Sequence, residues 1–389
     1  MRTLIVLILA SVGCAPAGID RPGLPTAKDG ALHIVMFDVG QADATLIHYK
    51  GRAMLIDAGS GQYDRRMASR RIPPRLDAIV GDRRLDYFMI SHYHQDHIGI
   101  PGGLRHNRIP AGIFGLVERG GVTIDTILDR GLFSLGEPPP VRGYFDAGVK
   151  RWMSIGAVQR RRILRPGDTI DMGDGLEVEV ISVSGNGYLE KLRAEFPTMI
   201  ENTPPSENDY SVGFIVRLGE FEFFSAGDLS GRSVLRKFGP NTQLYTDVES
   251  PMAELIGPVE VYRVNHHGSR YSTNPCFAQV LHPQVSVFST GKNTYGHPDA
   301  DVYDRLKGFG DVYITGGADK RIIDYVLDDV VRGDVEIVVT PEGERYWVNG
   351  KPYRSTTEAT EQAREGYRAR CESSDLVTEV VGSGDDQAG

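Results

Sequence analysis

Ser91-His92-Tyr93-His94-Gln95-Asp96-His97 sets three imidazoles and a carboxylate within six residues. The run follows Leu85 to Ile90, an apolar stretch of buried-strand type, so a strand delivers it to the rim of a sheet. His92 and His94 alternate and fall on one side of an extended segment. Asp96 and His97, past the strand end, are placed to turn toward a second ion. Neutral imidazole with carboxylate suits zinc and similar divalent ions. The bland alternative is a polar surface loop with chance histidines, and the whole chain has only ten to spend.

Upstream, Leu32 to Val39 reads as a strand ending at Gly40. Ala44 to Tyr49 and Arg52 to Ile56 follow as strands joined by a turn at Lys50-Gly51, closing on Asp57-Ala58-Gly59-Ser60-Gly61. The arginines 65, 66, 70, 71 and 75 then mark a helix stopped by Pro73-Pro74. They form either a solvated basic face or a hold for an anionic substrate. Residues 105 to 165 are read as a lid or insertion, with a strand at Ile109 to Glu118, a helix at Thr123 to Phe133 and an amphipathic basic stretch at Tyr144 to Arg162. Farther on, 169–172 with 176–183 and 210–218 with 221–225 read as hairpins, the second running into Ala226-Gly227-Asp228. Strands at 259–264 and 285–290 end at Asn265-His266-His267-Gly268-Ser269 and Gly291-Lys292-Asn293-Thr294-Tyr295-Gly296-His297-Pro298. A helix at 301–309, a strand at 312–315 and a hairpin at 335–348 follow. Strands therefore end repeatedly at Asp or His, as in sites built from loops on a rigid scaffold. The strand-rich blocks 31–100 and 169–350 point to two packed sheets flanked by helices.

The 389 residues carry a formal net charge of -9, which argues against a chain built mainly to grip nucleic-acid backbones. It leaves phosphorylated substrates open, because metal ions can dominate the charge of a site. Arg2 and the apolar Leu4 to Ala10 fit a signal peptide too short to span a bilayer. Small residues leading into Cys14 look like a lipoprotein cleavage site, although Ser11 stands where such sites usually carry Leu. The expectation is export with a lipid anchor over 1–14, or soluble secretion. A Pro/Gly/Ala tether follows at 15–30, then one domain at 31–354 and a polar, largely disordered tail at 355–389. Three cysteines are too few for a disulfide scaffold; sequence alone leaves open whether Cys276 and Cys371 pair, and with Cys371 in the polar tail no bridge between them is favoured.

His92-x-His94-x-Asp96-His97, with Asp57 before it and Asp228 and His267 after it, resembles the metallo-β-lactamase superfamily. Phe37-Asp38-Val39-Gly40-Gln41-Ala42-Asp43-Ala44, Glu207-Asn208-Asp209-Tyr210-Ser211, Asn265 to Ser269 and Gly291 to Pro298 are similar to its ComEC-type branch, which includes stand-alone hydrolases and a phosphorylcholine esterase. The resemblance covers about residues 31 to 318. It implies an α+β fold, an αββα four-layer sandwich, with two divalent ions at the sheet edges, zinc first and manganese second. It does not imply DNA uptake.

On that resemblance His92 and His94 hold one ion, Asp96, His97 and His267 the other, and Asp228 bridges. Many members add a histidine between the run and the bridging aspartate. Here none lies between His106 and His266, so the first ion keeps solvent, with Asn208 or Glu207 nearby. Asp57 either accepts the second ring N–H of a ligand histidine or only forms a turn. Asp43 stands near the metals or caps the next element. His266 and His267 are adjacent, so one ligates and the other faces substrate, with His267 favoured as ligand. His297 is a substrate-facing acid or a loop histidine satisfied by backbone. Asp96, His266 and His297 are the catalytic candidates; Asn208, Lys292 and Asn293 are the substrate contacts. His33, His48, His106 and His282 are structural. The expected activity is phosphodiester or nuclease-like hydrolysis by a two-metal activated water, on a phosphorylated small molecule or nucleic acid without a stable nucleic-acid complex. The alternatives are an amide or lactam hydrolase and a non-catalytic binding module. Membrane contact is expected only through the N-terminal anchor.

Overall fold

The computed structural model describes residues 24–26, 29–59, 67–104, 109–238, 241–356 and 380–381. The leader, Cys14, most of the tether, Arg65, Arg66, His106, Cys371 and nearly all of the tail lie outside them.

Strands β1 (Leu32–Met36), β2 (Thr45–Tyr49) and β3 (Arg52–Ile56) form an antiparallel meander. Its Lys50-Gly51 turn has positive φ at both residues, the geometry that matches strand twist in two-residue hairpins. Next come α1 (Met67–Ile79), β4 (Arg84–Met89), α2 (Gln95–Ile98), the short pair β5 (Gly99–Ile100) and β6 (Ala111–Gly112), and α3 (Ile113–Glu118). They are followed by β7 (Thr123–Asp129), α4 (Pro140–Ser154), β8 (Val158–Ile163), β9 (Leu176–Ser182), α5 (Tyr188–Glu195) and α6 (Pro197–Asn202). The hairpins β10 (Gly213–Leu218) with β11 (Phe221–Ser225) and β12 (Val234–Phe238) with β13 (Asn241–Tyr245) precede α7 (Glu249–Ile256), β14 (Val261–Arg263) and α8 (Pro275–Leu281). The rest comprises β15 (Val285–Phe288), α9 (Ala300–Lys307), β16 (Asp311–Ile314), β17 (Val335–Val339), β18 (Arg345–Val348), β19 (Lys351–Arg354) and β20 (Val380–Val381).

The main sheet runs β19-β18-β17-β1-β2-β3-β4-β7-β8, and the second runs β16-β15-β14-β11-β10-β9. Alternation along β1 decides the layering. Leu32, Ile34 and Met36 enter the layer between the sheets, where they meet Val178, Phe214, Phe223 and Val261. Val35 points to the opposite face, with Ile72 and Leu76 of α1, Phe114 of α3 and Trp152 of α4. On the far side of the second sheet lie Met252 of α7, Phe277 of α8 and Leu306 of α9. The result is an α+β, four-layer αββα sandwich. Each such large side chain contributes about 1.5–3 kcal/mol by leaving water. Parallel pairing of β3 with β4, and of β11 with β14 and β15, brings their C-terminal ends to one rim of each sheet.

Several local expectations are corrected. Helix α1 runs through Pro73-Pro74 rather than stopping there, and Ile72, Pro73 and Leu76 are buried on one face; packing overrides a weak local preference. Residues 113–118, expected as strand, are helix α3, and Thr123–Asp129, expected as helix, is the strand β7. The basic stretch at 144–162 divides into the end of α4 and β8. Of the stretch expected as a lid or insertion, residues 109–165 build into the body of the fold, where β7 and β8 complete the main sheet in parallel beside β4. The hairpin expected at 169–183 is present in short form: β9 meets the preceding segment at an antiparallel Thr169–Glu179 bridge, flanked by the Ile170 N–H to Val178 and Val180 N–H to Asp168 bonds. The C-terminal strands β17 to β19 join β1 rather than the sheet of their own block. Cys276, favoured as unbridged, is disulfide-bonded; its partner sulfur lies outside the described residues.

Candidate metal centre

At the end of β3, Asp57 accepts hydrogen bonds from the Ser91 N–H (2.9 Å) and the Ser91 hydroxyl (2.6 Å). Its Oδ2 also lies 2.7 Å from His97 Nδ1. That contact keeps a proton on Nδ1 and turns Nε2 inward. The chain reaches His97 by leaving β4 extended through His94 and making one helical turn, α2. His92 Nε2 and His94 Nδ1 are 3.1 Å apart, as two ligands of one ion would be.

The second sheet supplies the opposite wall. Gly227, at φ 53, turns the end of β11 so that Asp228 faces the histidines. Asp228 Oδ1 is 3.2 Å from His97 Nε2; Oδ2 is 3.7 Å from His267 Nε2 and 3.9 Å from His266 Nε2. His267 Nδ1 meets the Ser289 carbonyl at 2.7 Å. A carbonyl only accepts, so the proton sits on Nδ1 and the Nε2 lone pair faces the cluster, 3.5 Å from Asp96 Oδ2. Asp43, His97, Asp228 and His267 are all buried, with one ligand atom from each within 4.8 Å of the others. His97 Nε2, His267 Nε2 and Asp228 Oδ1 are buried without a hydrogen bond. Buried polar atoms are normally satisfied, and two imidazole Nε2 atoms aimed at a carboxylate, that of His97 once it gives up its proton, form a donor set that fits a divalent ion. These residues, with Asp96, would hold one ion, and His92 and His94 a neighbour.

Charge is finely balanced here. Burial opposes a proton on His97, but Asp228 and Asp57 outweigh it and hold the imidazole well above its ordinary value. Burial likewise opposes ionisation of Asp228, yet His97 and His267 hold its carboxyl well below the usual range. For Asp96 the same burial is outweighed by the neighbouring His267 and the charge of His97, which hold its carboxyl below the usual range. His97 would therefore have to give up a proton to serve as a ligand.

The remaining candidates divide. His266 lies 3.1 Å from Asn208 Nδ2 and stacks on Tyr245; burial lowers its pKa to about 4. His297 lies 5.5 Å from the His266 ring and 6.0 Å from the His267 ring. Gln41 takes the Gly291 N–H on its carbonyl and directs its amide nitrogen at His297 Nδ1, 3.2 Å away. The His297 proton is thereby placed on Nε2. Burial, with His266 and His267 adding to it, keeps this ring neutral by holding its pKa well below the ordinary value. Lys292 is exposed on the same loop. Asn293, expected to touch substrate, is instead spent on the loop: its amide donates to the Gly291 and His297 carbonyls and accepts the Tyr295 and His297 N–H groups. Glu207, suggested beside the first ion, accepts the Tyr93 N–H (2.9 Å) and pairs with buried Arg130 (2.7 Å), which lies between the Tyr93 and Tyr210 rings. Arg71 and Arg75, of the arginines offered as a hold for an anionic substrate, pair with Asp38, Asp334 and Glu336. A cavity of about 480 Å³, lined by Arg236, Arg270, Tyr271, Tyr295 and Arg321, opens beside His297.

Sequence reasoning passed over Arg263, which is 1% exposed and pairs with Asp43. A charged residue inside the apolar run Val259 to Val264 was the available signal.

Residues 37–143 match the model of the Metallo-beta-lactamase superfamily. The chain is 25% identical over 289 residues to ComE operon protein 3 of Bacillus subtilis, covering 70% of this chain and 30% of that protein. It is 24% identical over 314 residues to competence protein ComA of Neisseria gonorrhoeae, covering 79% and 35%. The chain thus spans about a third of the length of these relatives. Among solved structures, it is similar to the metallo-beta-lactamase fold protein YhfI from Bacillus subtilis (11% identity, TM-score 0.39, 73% of this chain and 96% of that one). It is also similar to Zn(2+)-bound PqqB from Methylobacterium extorquens (13% identity, TM-score 0.40, 72% and 97%). With the four-layer fold, the histidine run at its rim and the family match in one place, the chain resembles the metallo-β-lactamase superfamily, by its match over residues 37–143, and the ComEC-type branch within it.

Proposed function

We propose that this chain is a metal-dependent phosphoester hydrolase of phosphodiesterase or nuclease-like type. The observation that carries the reading is the convergence of His97 Nε2, His267 Nε2 and Asp228 beneath a rim where His297 presents an N–H. Bound there, a pair of divalent ions, zinc before manganese, would supply Lewis acidity and an activated water. The protein's own part is positional. Asp57 and the Ser289 carbonyl fix the tautomers of His97 and His267, and Asp228 offers one oxygen to each side of the cluster. His297 Nε2–H is a neutral donor for a substrate oxygen, and His266 stands beside it to hold or pass a proton. Lys292, exposed on the same loop, is the candidate cation for the substrate. This set favours a tetrahedral anionic group over a lactam. The substrate is a phosphorylated small molecule or a nucleic-acid end, bound without a stable nucleic-acid complex.

We place the mature protein outside the cytoplasm, on the leader and the cysteine at position 14. The disulfide at Cys276 fits an oxidising compartment. No helix among the described residues is long and apolar enough to cross a membrane.

Metal analysis coupled to a screen against bis-(p-nitrophenyl) phosphate, single-stranded DNA, cyclic dinucleotides, phosphorylcholine esters and nitrocefin tests the reading. Asp228→Ala should lower metal content and cut phosphoester turnover by at least about 1000-fold, because this carboxylate would serve both ions. Nitrocefin turnover without phosphoester turnover would overturn the substrate class. Wild-type metal content and turnover in the variant would overturn the bridging role.

A further inference from the structure

The metal cluster contains a carboxylate that is already taken. Asp43 lies among the four buried groups with His97, Asp228 and His267, which by position alone would make it a ligand. Arg263, at the end of β14, reaches it with two nitrogens: Nε lies 3.1 Å from Asp43 Oδ1, and Nη2 pairs with Oδ2. The third nitrogen, Nη1, donates to the Gly227 carbonyl, on the residue that turns Asp228 into the site. The same guanidinium stands 3.8 Å from Asp228 Oδ1. Asp43 is also fixed through its backbone, its N–H donating to the Asp96 carbonyl and its own carbonyl accepting from Gly59. The planar guanidinium suits a carboxylate, which it meets here by one hydrogen bond from Nε and an ion-pair contact from Nη2.

We propose that Arg263 withholds Asp43 from the metal and so sets which metal the site prefers. With Asp43 paired, the ions meet a donor set rich in imidazole, with Asp96 and Asp228 as its carboxylates. Imidazole suits zinc, whereas added carboxylate oxygens favour manganese and magnesium. Removing the guanidinium frees a third carboxylate within reach of the same point and removes a positive charge beside Asp228. The site should then shift from zinc toward manganese. A purely structural Arg263 predicts a different result, namely weaker binding of both ions together.

The proposal rests on the metal reading above, and the measurement separates the two. Zinc and manganese affinities are determined by chelator competition for the full chain as wild type, Arg263→Met, Arg263→Lys and the double variant Asp43→Asn/Arg263→Met, with folding followed by circular dichroism. The manganese-to-zinc affinity ratio should rise about 10- to 100-fold in Arg263→Met, the scale on which groups behind metal ligands act. It should stay near the wild-type ratio in Arg263→Lys and return to it in the double variant. An unchanged ratio in folded Arg263→Met overturns the proposal. So does loss of zinc from the double variant, since Asp43 would then itself be a ligand. Should Arg263→Met not fold, the double variant decides: zinc retained supports the proposal, zinc lost overturns it. Wild-type protein that takes up neither ion counts against the metal reading itself.

Discussion

The two halves of the site solve the same problem differently. The 91–97 loop leaves β4 extended, carries His94 at φ -85 and ψ 157, and brings Asp96 and His97 in by one ordinary helical turn. The 263–268 loop sets two adjacent histidines in left-handed backbone, His266 at φ 50 and His267 at φ 53. Each such residue costs about 1–3 kcal/mol and persists only where its surroundings over-determine it. The gain is divergence. His267 turns into the cluster against Ser289, while His266 turns toward Asn208 and Tyr245. Neighbouring residues in ordinary extended backbone also splay apart, but they do so across the two faces of a strand. Here both rings stay at one rim with different targets.

Each loop is backed by its own buried carboxylate. Glu207, behind the first, is paired with Arg130. Glu249, behind the second, accepts three neutral donors, from Asn265 Nδ2, Thr273 N and Asn274 N. The largest effect that tests the contrast is on the two histidines. His267→Ala should weaken metal binding by at least about 100-fold. His266→Ala should leave metal content as it is and lower turnover by about 10²–10⁴-fold, the range of a lost acid or base. Equal metal loss in both variants, measured by chelator competition, would erase the division of labour. A smaller difference is expected in stability. Glu207→Ala strands a buried guanidinium and should cost about 3–5 kcal/mol. Glu249→Ala strands neutral donors and should cost about 1–3 kcal/mol. Urea unfolding of the two variants checks the order, and the reverse order would mean that the Arg130 charge is solvated once Glu207 is gone.

The same contrast explains what could be read from sequence. The first loop announces itself by spacing, because alternating histidines after an apolar strand have one natural placement. Strand ends at Asp57, Asp228 and His267 are legible for the same reason. The split between His266 and His267 depends on backbone dihedrals and on a carbonyl from β15, which no local pattern carries. Elsewhere the misreadings have local causes. Ile113 to Glu118 is a short apolar run, and periodicity cannot tell a buried helix from a buried strand at that length. Thr123 to Asp129 lies beside β4 in the middle of a parallel ladder, where burial on both faces blurs the alternation that marks a strand. The pairing of β17 with β1 joins residues about 300 positions apart and is a matter of topology. Arg263 was visible as a charge in an apolar run, but its partner Asp43 lies 220 positions away.

The last prediction concerns pH, and it isolates the second loop. Burial raises Glu249 to about 8 from an ordinary 4.5, although the bonds from Asn265, Asn274 and Thr273 pull the other way. Between those values the folded protein keeps a proton that the unfolded chain has released. The stability tied to that proton is fully present below about pH 4.5 and is lost as pH rises through about 8, at up to about 1.4 kcal/mol per pH unit. Glu249→Gln carries no titrating proton, so the unfolding free energy of wild type relative to this variant should fall steadily from pH 5 to pH 8.5. His97 titrates in both proteins, and its contribution cancels in the difference. A difference that stays flat or grows with pH would mean that the three donors hold Glu249 ionised, and that the second loop is backed by a charge as the first one is.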